Sequence, residues 1–126
     1  MQQQVYHSRD LQAWEQRWFQ QQNSSYGLMQ QVAWGISQRL ITLFSQQKIK
    51  KIAVCCGQGN NAGDGYLVAK YLKQAGFSVD IYAAELGSSK DLAAAAQEAK
   101  QAGLQPYSHF DFQSEYEVYI DALFGI

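Results

Sequence analysis

Residues 52 to 73 constrain the fold more than any other stretch of the chain. The run Ile52 to Cys56 is apolar, short and partly β-branched, so it predicts a buried strand. Glycines follow at positions 57, 59, 63 and 65. Tyr66, Leu67, Ala69, Lys70, Leu72 and Lys73 then suit a helix. A strand that turns through glycines into a helix presents bare backbone N–H groups at the positive end of a helix dipole. Such an end suits phosphate or another anion. Glycine helps there in two ways: it permits positive φ, and it lets backbone approach a ligand closely.

Gly57, Gly59 and Ala62 fit the loose G-x-G-x-x-G/A spacing, which alone says little. The polar residues set into it say more. Asn60 and Asn61 are adjacent, and Asp64 stands between two glycines. An asparagine offers donors and an acceptor, so it can hold a ribose or nicotinamide group or lend an oxygen to a cation. Asp64 is placed to cap the coming helix by accepting from its first N–H groups. A tight glycine turn with left-handed asparagines is the plain structural alternative.

The remaining residues supply the frame. The chain has 126 residues, 47% of them hydrophobic, enough for one domain with a modest core. Ten basic and eleven acidic residues leave a net charge of −1, which gives no electrostatic case for nucleic acid or a membrane surface. No apolar run approaches the roughly 20 residues of a spanning helix. Met1-Gln2-Gln3-Gln4 lacks the apolar core of a signal peptide, so a soluble cytoplasmic protein is expected. Cys55 and Cys56 are neighbours on a strand and point to opposite faces. They read as packed thiols rather than a disulfide or metal pair.

In chain order, Ser8 followed by Leu11, Trp14, Trp18 and Phe19 predicts a first helix beginning near Arg9. Leu28, Met29, Val32, Ile36, Leu40, Leu43 and Phe44 predict a second, from about Ser25 through Phe44. Its stripe serves as core or, less simply, as a surface for a partner helix. The helix after the glycines runs to about Ala75, where Gly76 stops it. Phe77 to Tyr82 alternates as a strand, Asp91 to Ala102 is a helix stopped by Gly103, and Leu104 to Phe110 offers a short strand around Pro106. Tyr116 to Ile120 is the last strand, with Asp121 at its carboxyl end. Strand, helix and strand at this spacing make a right-handed parallel unit. The fold class expected is α/β: a Rossmann-like three-layer α/β/α arrangement with a mostly parallel sheet, preceded by two N-terminal helices.

Ligands of open parallel sheets bind beyond the carboxyl ends of the strands. Both the glycine segment and Asp121 fall there, which favours one shared site. Asp121 can be a base, a cation ligand or a loop cap. A nicotinamide-dependent dehydrogenase would need an acid after its second strand to hold ribose hydroxyls, and Glu85 is a loose candidate.

The segment Gly57-Gln58-Gly59-Asn60-Asn61-Ala62-Gly63-Asp64-Gly65 resembles the signature of the YjeF N-terminal domain family, the NAD(P)H-hydrate epimerases. Val118-Tyr119-Ile120-Asp121-Ala122-Leu123-Phe124-Gly125 resembles a second family motif, and Leu28-Met29-Gln30-Gln31-Val32-Ala33 is a weaker third. The resemblance implies an isomerase of nicotinamide nucleotide repair that interconverts the R and S epimers of NADHX and NADPHX. It implies substrate contacts at Asn60, Asn61, Ala62, Gly63, Asp64, Gly125 and Ile126, and potassium (K+) held by Asn61 and Asp121. Such a reaction needs an acid–base group near the hydrated carbon, and Asp121 or its neighbour is expected to be that group. The resemblance also implies a homodimer and a fused or separate NAD(P)H-hydrate dehydratase. Residues 1–126 are then expected to be a partial domain whose C-terminal part lies beyond Ile126. Ala33 and Ala62 stand where the family often has glycine, and Gln58 where it often has proline. The alternatives are a non-catalytic nucleotide-binding or scaffold module of the same fold, and the first half of a dehydrogenase.

Overall fold

The computed structural model describes residues 4–7, 24–109 and 115–122. In chain order these form β1 (Gln4–His7), α1 (Ser25–Gln46), β2 (Lys51–Cys56), α2 (Asn60–Gln74), β3 (Ser78–Tyr82), α3 (Lys90–Gln101) and β4 (Val118–Ala122). The strands make one sheet in the order β1-β4-β2-β3, with every pairing parallel. Val54 sits at its centre, level with Ile120 on one side and Ile81 on the other.

Alternation of side chains divides the sheet into two faces. Ile52, Val54, Cys56, Val79, Ile81, Val118 and Ile120 fill one face and merge with the helices in a single core cluster. Helix α2 lies in the middle of that helical layer, between α1 and α3, and is the helix that packs on β2, β3 and β4. Ala53, Tyr82 and Tyr116 lie buried on the other face with Tyr119 against them. Tyr116 donates a 2.7 Å hydrogen bond to Asp80, and the hydroxyls of Tyr82 and Tyr116 are also bonded. All three described helices belong to one layer; the expected second layer is not among the described residues.

Local sequence explains most boundaries. Ser24 caps α1 by accepting from the Gly27 N–H, and Ser89 caps α3 by accepting from the Leu92 N–H. Gly76 and Gly103 take the positive φ angles, +104° and +89°, that end α2 and α3. The expected strand around Pro106 contracts to a single parallel bridge, Tyr107 to Tyr82. The expected helix near Arg9 and the cap at Ser8 lie outside the described residues. A strand at Gln4–His7 was not foreseen from sequence; four residues are too short for a period to register, and β1 exists as the parallel partner of β4.

One polar knot fastens the helical layer. Glu98 of α3 accepts hydrogen bonds from Tyr26 and Gln30 of α1, and pairs at 2.6 Å with Lys70 of α2. Partial burial works to raise the Glu98 pKa. The bonds from Lys70, Tyr26 and Gln30 outweigh it and hold the carboxyl below its ordinary range. A depressed folded-state pKa means stability that is present above the unfolded value and lost as pH falls through the folded one. Glu98→Gln should therefore cost about 1.5 kcal/mol in urea unfolding at neutral pH. The gap between it and the parent should close as pH falls below the ordinary glutamate pKa of 4.5.

Candidate functional site

The site is built where β2 and β4 end. Helix α2 begins at Asn60, directly after the strand's short exit through Gly57, Gln58 and Gly59. Gly59 is its N-cap, with extended backbone and no side-chain cap. This corrects two sequence expectations. Asp64 does not cap the helix; it is its fifth residue and is fully buried. Nor does the plain alternative hold, a tight glycine turn with left-handed asparagines: among the described residues positive φ occurs at Lys48, Gly76 and Gly103.

Close approach, not turning, explains Gly63 and Gly65. A β-carbon on Gly65 would stand 2.8 Å from Ala122 Cβ, 3.0 Å from Cys56 Sγ and 3.4 Å from Val54 Cγ1. One on Gly63 would stand 2.6 Å from Met29 Sδ. The two glycines thus face opposite ways, one against the sheet and one against α1. Asn61, Ala62 and Asp64 are buried beside them, at 1%, 0% and 0% exposure. Asn60 opens the helix. Ala62, where the family often has glycine, is accommodated in the core, as is Ala33 in α1.

The two sequence motifs meet at Ala122. The Gly57 N–H donates to the Ala122 carbonyl at 2.9 Å, and Gly65 packs on the Ala122 side chain. Asp121 is the penultimate residue of β4 rather than the first residue beyond it. It lies level with Cys55 of β2, on the face opposite α2, and is partly exposed. The sheet sets β2 and β4 side by side, so the glycine segment and Asp121 lie at the carboxyl ends of adjacent strands, with Asp121 on the face away from α2. Leu123 to Ile126, including the candidates Gly125 and Ile126, lie outside the described residues.

Burial holds the Cys55 and Cys56 thiols and the Tyr66 phenol at the strand end neutral. Burial, and secondarily the Asp121 carboxylate, pushes the Cys55 thiol up. Burial and the neighbouring Cys55 do the same to Cys56. Burial, with a smaller contribution from Cys56, pushes the Tyr66 phenol up to about 12. Both cysteines are free, as expected of packed thiols. Glu85, the acid that a dehydrogenase would turn toward ribose, instead accepts a 2.9 Å hydrogen bond from Gln58. Among the described residues no three His, Cys, Asp or Glu side chains converge as a metal site, and no helix is long and apolar enough to cross a membrane.

Fold and site together define an α/β domain with its candidate site at the carboxyl ends of adjacent parallel strands. Residues 25–126 match the model of the family described as YjeF-related protein N-terminus, and the chain belongs to that family. Over 101 residues it is 35% identical to an NAD(P)H-hydrate epimerase of Oenococcus oeni, covering 79% of this chain and 48% of the relative. It is 31% identical over 124 residues to the bifunctional NAD(P)H-hydrate repair enzyme Nnr of Coxiella burnetii, covering 96% of this chain and 25% of that enzyme. The crystal structure of yeast ynu0, YNL200c, superposes with a TM-score of 0.71 at 19% identity, over 97% of this chain and 57% of that one, and so shares the fold. The chain therefore spans about half the length of the Oenococcus relative.

The glycine contacts give a contrast between two substitutions. Gly65→Ala forces a methyl into the Ala122 and Cys56 side chains and should destabilise the protein by about 1–3 kcal/mol in urea unfolding. Gly35→Ala, exposed on α1 with nothing within 4 Å of the added carbon, should stabilise it by about 0.5–1 kcal/mol.

Proposed function

We propose that the protein is an NAD(P)H-hydrate epimerase, interconverting the R and S forms of NADHX or NADPHX. The observation that carries this is the meeting of the two family motifs at Ala122, which brings the N-terminus of α2 and Asp121 to neighbouring strand ends. The names of the relatives supply the chemistry.

Each residue then has a role. The first N–H groups of α2, which opens at Asn60, receive the hydrated nucleotide; the helix dipole there favours its anionic groups, and the buried Asn61, Ala62, Gly63 and Asp64 form the floor beneath it. Epimerisation breaks the bond between the hydrated ring carbon and its hydroxyl, as the ring nitrogen's lone pair forms a C=N bond. The departing oxygen takes a proton from the Asp121 carboxyl and leaves as water. Water then adds to the opposite face of the ring, and Asp121 takes a proton back. One carboxyl group serves both directions, so no proton is consumed.

The donor set fits potassium. The Asn61 carboxamide and the Asp121 carboxylate both offer hard oxygen, and Asp121 has two oxygens, so one can hold the cation while the other exchanges protons. Bound potassium would supply positive charge beside the anionic substrate. Gly125 and Ile126 would extend the substrate contacts, and a homodimer working beside a dehydratase domain or protein is the setting we propose.

A mixture of both hydrate epimers, with excess stereospecific dehydratase, tests the activity. Recovery of NADH from the disfavoured epimer should outpace spontaneous epimerisation, and Asp121→Asn should reduce that rate by at least about a hundredfold. Full activity in Asp121→Asn would remove it from the chemistry. Independently of turnover, potassium chloride should raise the melting temperature by roughly 3–5 °C over tetramethylammonium chloride of equal ionic strength, and Asp121→Asn should lose that rise.

A further inference from the structure

The loop between β3 and α3 leans on the glycine exit of β2. Gly87 passes between the Gln58 backbone and the buried Leu92 side chain. A β-carbon on Gly87 would overlap the Gln58 carbonyl oxygen and stand 2.9 Å from both its carbonyl carbon and Leu92 Cδ2. Two residues earlier, Glu85 accepts the 2.9 Å hydrogen bond from the Gln58 side-chain amide. Gln58 is therefore held twice by one loop, through its backbone and through its side chain. The loop's far side is fixed in turn. Ser89 caps α3 through the Leu92 N–H, and Leu92 is fully buried. Leu92 Cα also lies 3.7 Å from where a β-carbon on Gly63 would be.

Gln58 matters because of its neighbours. Gly57 is tied to β4 at Ala122, and Gly59 is the N-cap from which α2 starts. The peptide of Gln58 joins these two fixed points. Its orientation sets where the first N–H groups of α2 aim.

We propose that Gly87 and Glu85 are positioning residues for the site, bracing the Gln58 peptide so that the N-terminus of α2 is preset for its ligand. They touch no reacting atom. Glycine is required at 87 because any side chain there would displace the Gln58 carbonyl, and Glu85 supplies an acceptor that keeps Gln58 turned outward. The inference rests on the epimerase proposal for its ligand, though not for its geometry.

Two readouts test it on Gly87→Ala, Glu85→Ala and Glu85→Gln. Amide hydrogen exchange at Gly57 through Asn61 should quicken by roughly tenfold in the two alanine variants, with the core of β2 unchanged. The KM for the hydrate should rise roughly tenfold while kcat stays within about twofold, since the N–H groups of α2 bind anionic groups remote from the reacting carbon and so contribute equally to ground state and transition state. Glu85→Gln retains an acceptor for Gln58 and should return KM to the parent value; a loop needed only for folding would not show that rescue. Parent exchange and parent KM in Glu85→Ala would overturn the proposal, and they decide it alone should Gly87→Ala fail to fold. If the parent has no turnover but the exchange responds as stated, the brace stands and the epimerase proposal falls.

Discussion

The close seating of α2 is the constraint on which the rest depends. Its amino-terminal turns are wedged between α1 and the ends of β2 and β4, and only the missing side chains of Gly63 and Gly65 make room. Backbone approach of this kind restrains the helix start, because close-packed interiors resist displacement and transmit strain. The Gly57–Ala122 hydrogen bond closes the same junction from the side of the chain exit. A helix N-terminus and a carboxylate on a neighbouring strand are thereby held in fixed relation before any ligand arrives. Preset donors avoid the cost of ordering them during binding.

The sequence made the strand–helix–strand alternation legible, because apolar period and glycine stops act locally. β2, β3, α1 and α3 lie within a residue or two of their expected bounds. The site's inner geometry was legible only in part. A run of four glycines in nine residues suggests a turn, yet two of them are helical and serve tertiary packing, and no local pattern separates the two uses. Asp64 looked like a cap for the same reason. The last strand was placed two residues early, so Asp121 moved from beyond the strand into it. A carboxylate on a strand has its direction set by the pleat, which is why it shares a face with Cys55.

Other features carried no sequence signal. The Glu98 knot joins residues 68 and 72 positions apart, and nothing in the local composition announces that Tyr26 and Gln30 will meet it. The brace at Gly87 is equally silent: Gly87-Ser88-Ser89 reads as an ordinary polar loop until the β2 exit is placed against it. The close contacts that shape the junction thus include Gly87 as well as Gly63 and Gly65 of the family's signature.

A single binding site formed by two distant motifs is tested most directly by an amide chemical-shift titration of the labelled protein with a mixture of the hydrate epimers in potassium chloride. Resonances of Gly59 through Asp64 and of Asp121 and Ala122 should move together, with one dissociation constant. Shifts confined to one motif, separate constants for the two, or shifts centred elsewhere on the sheet would contradict it.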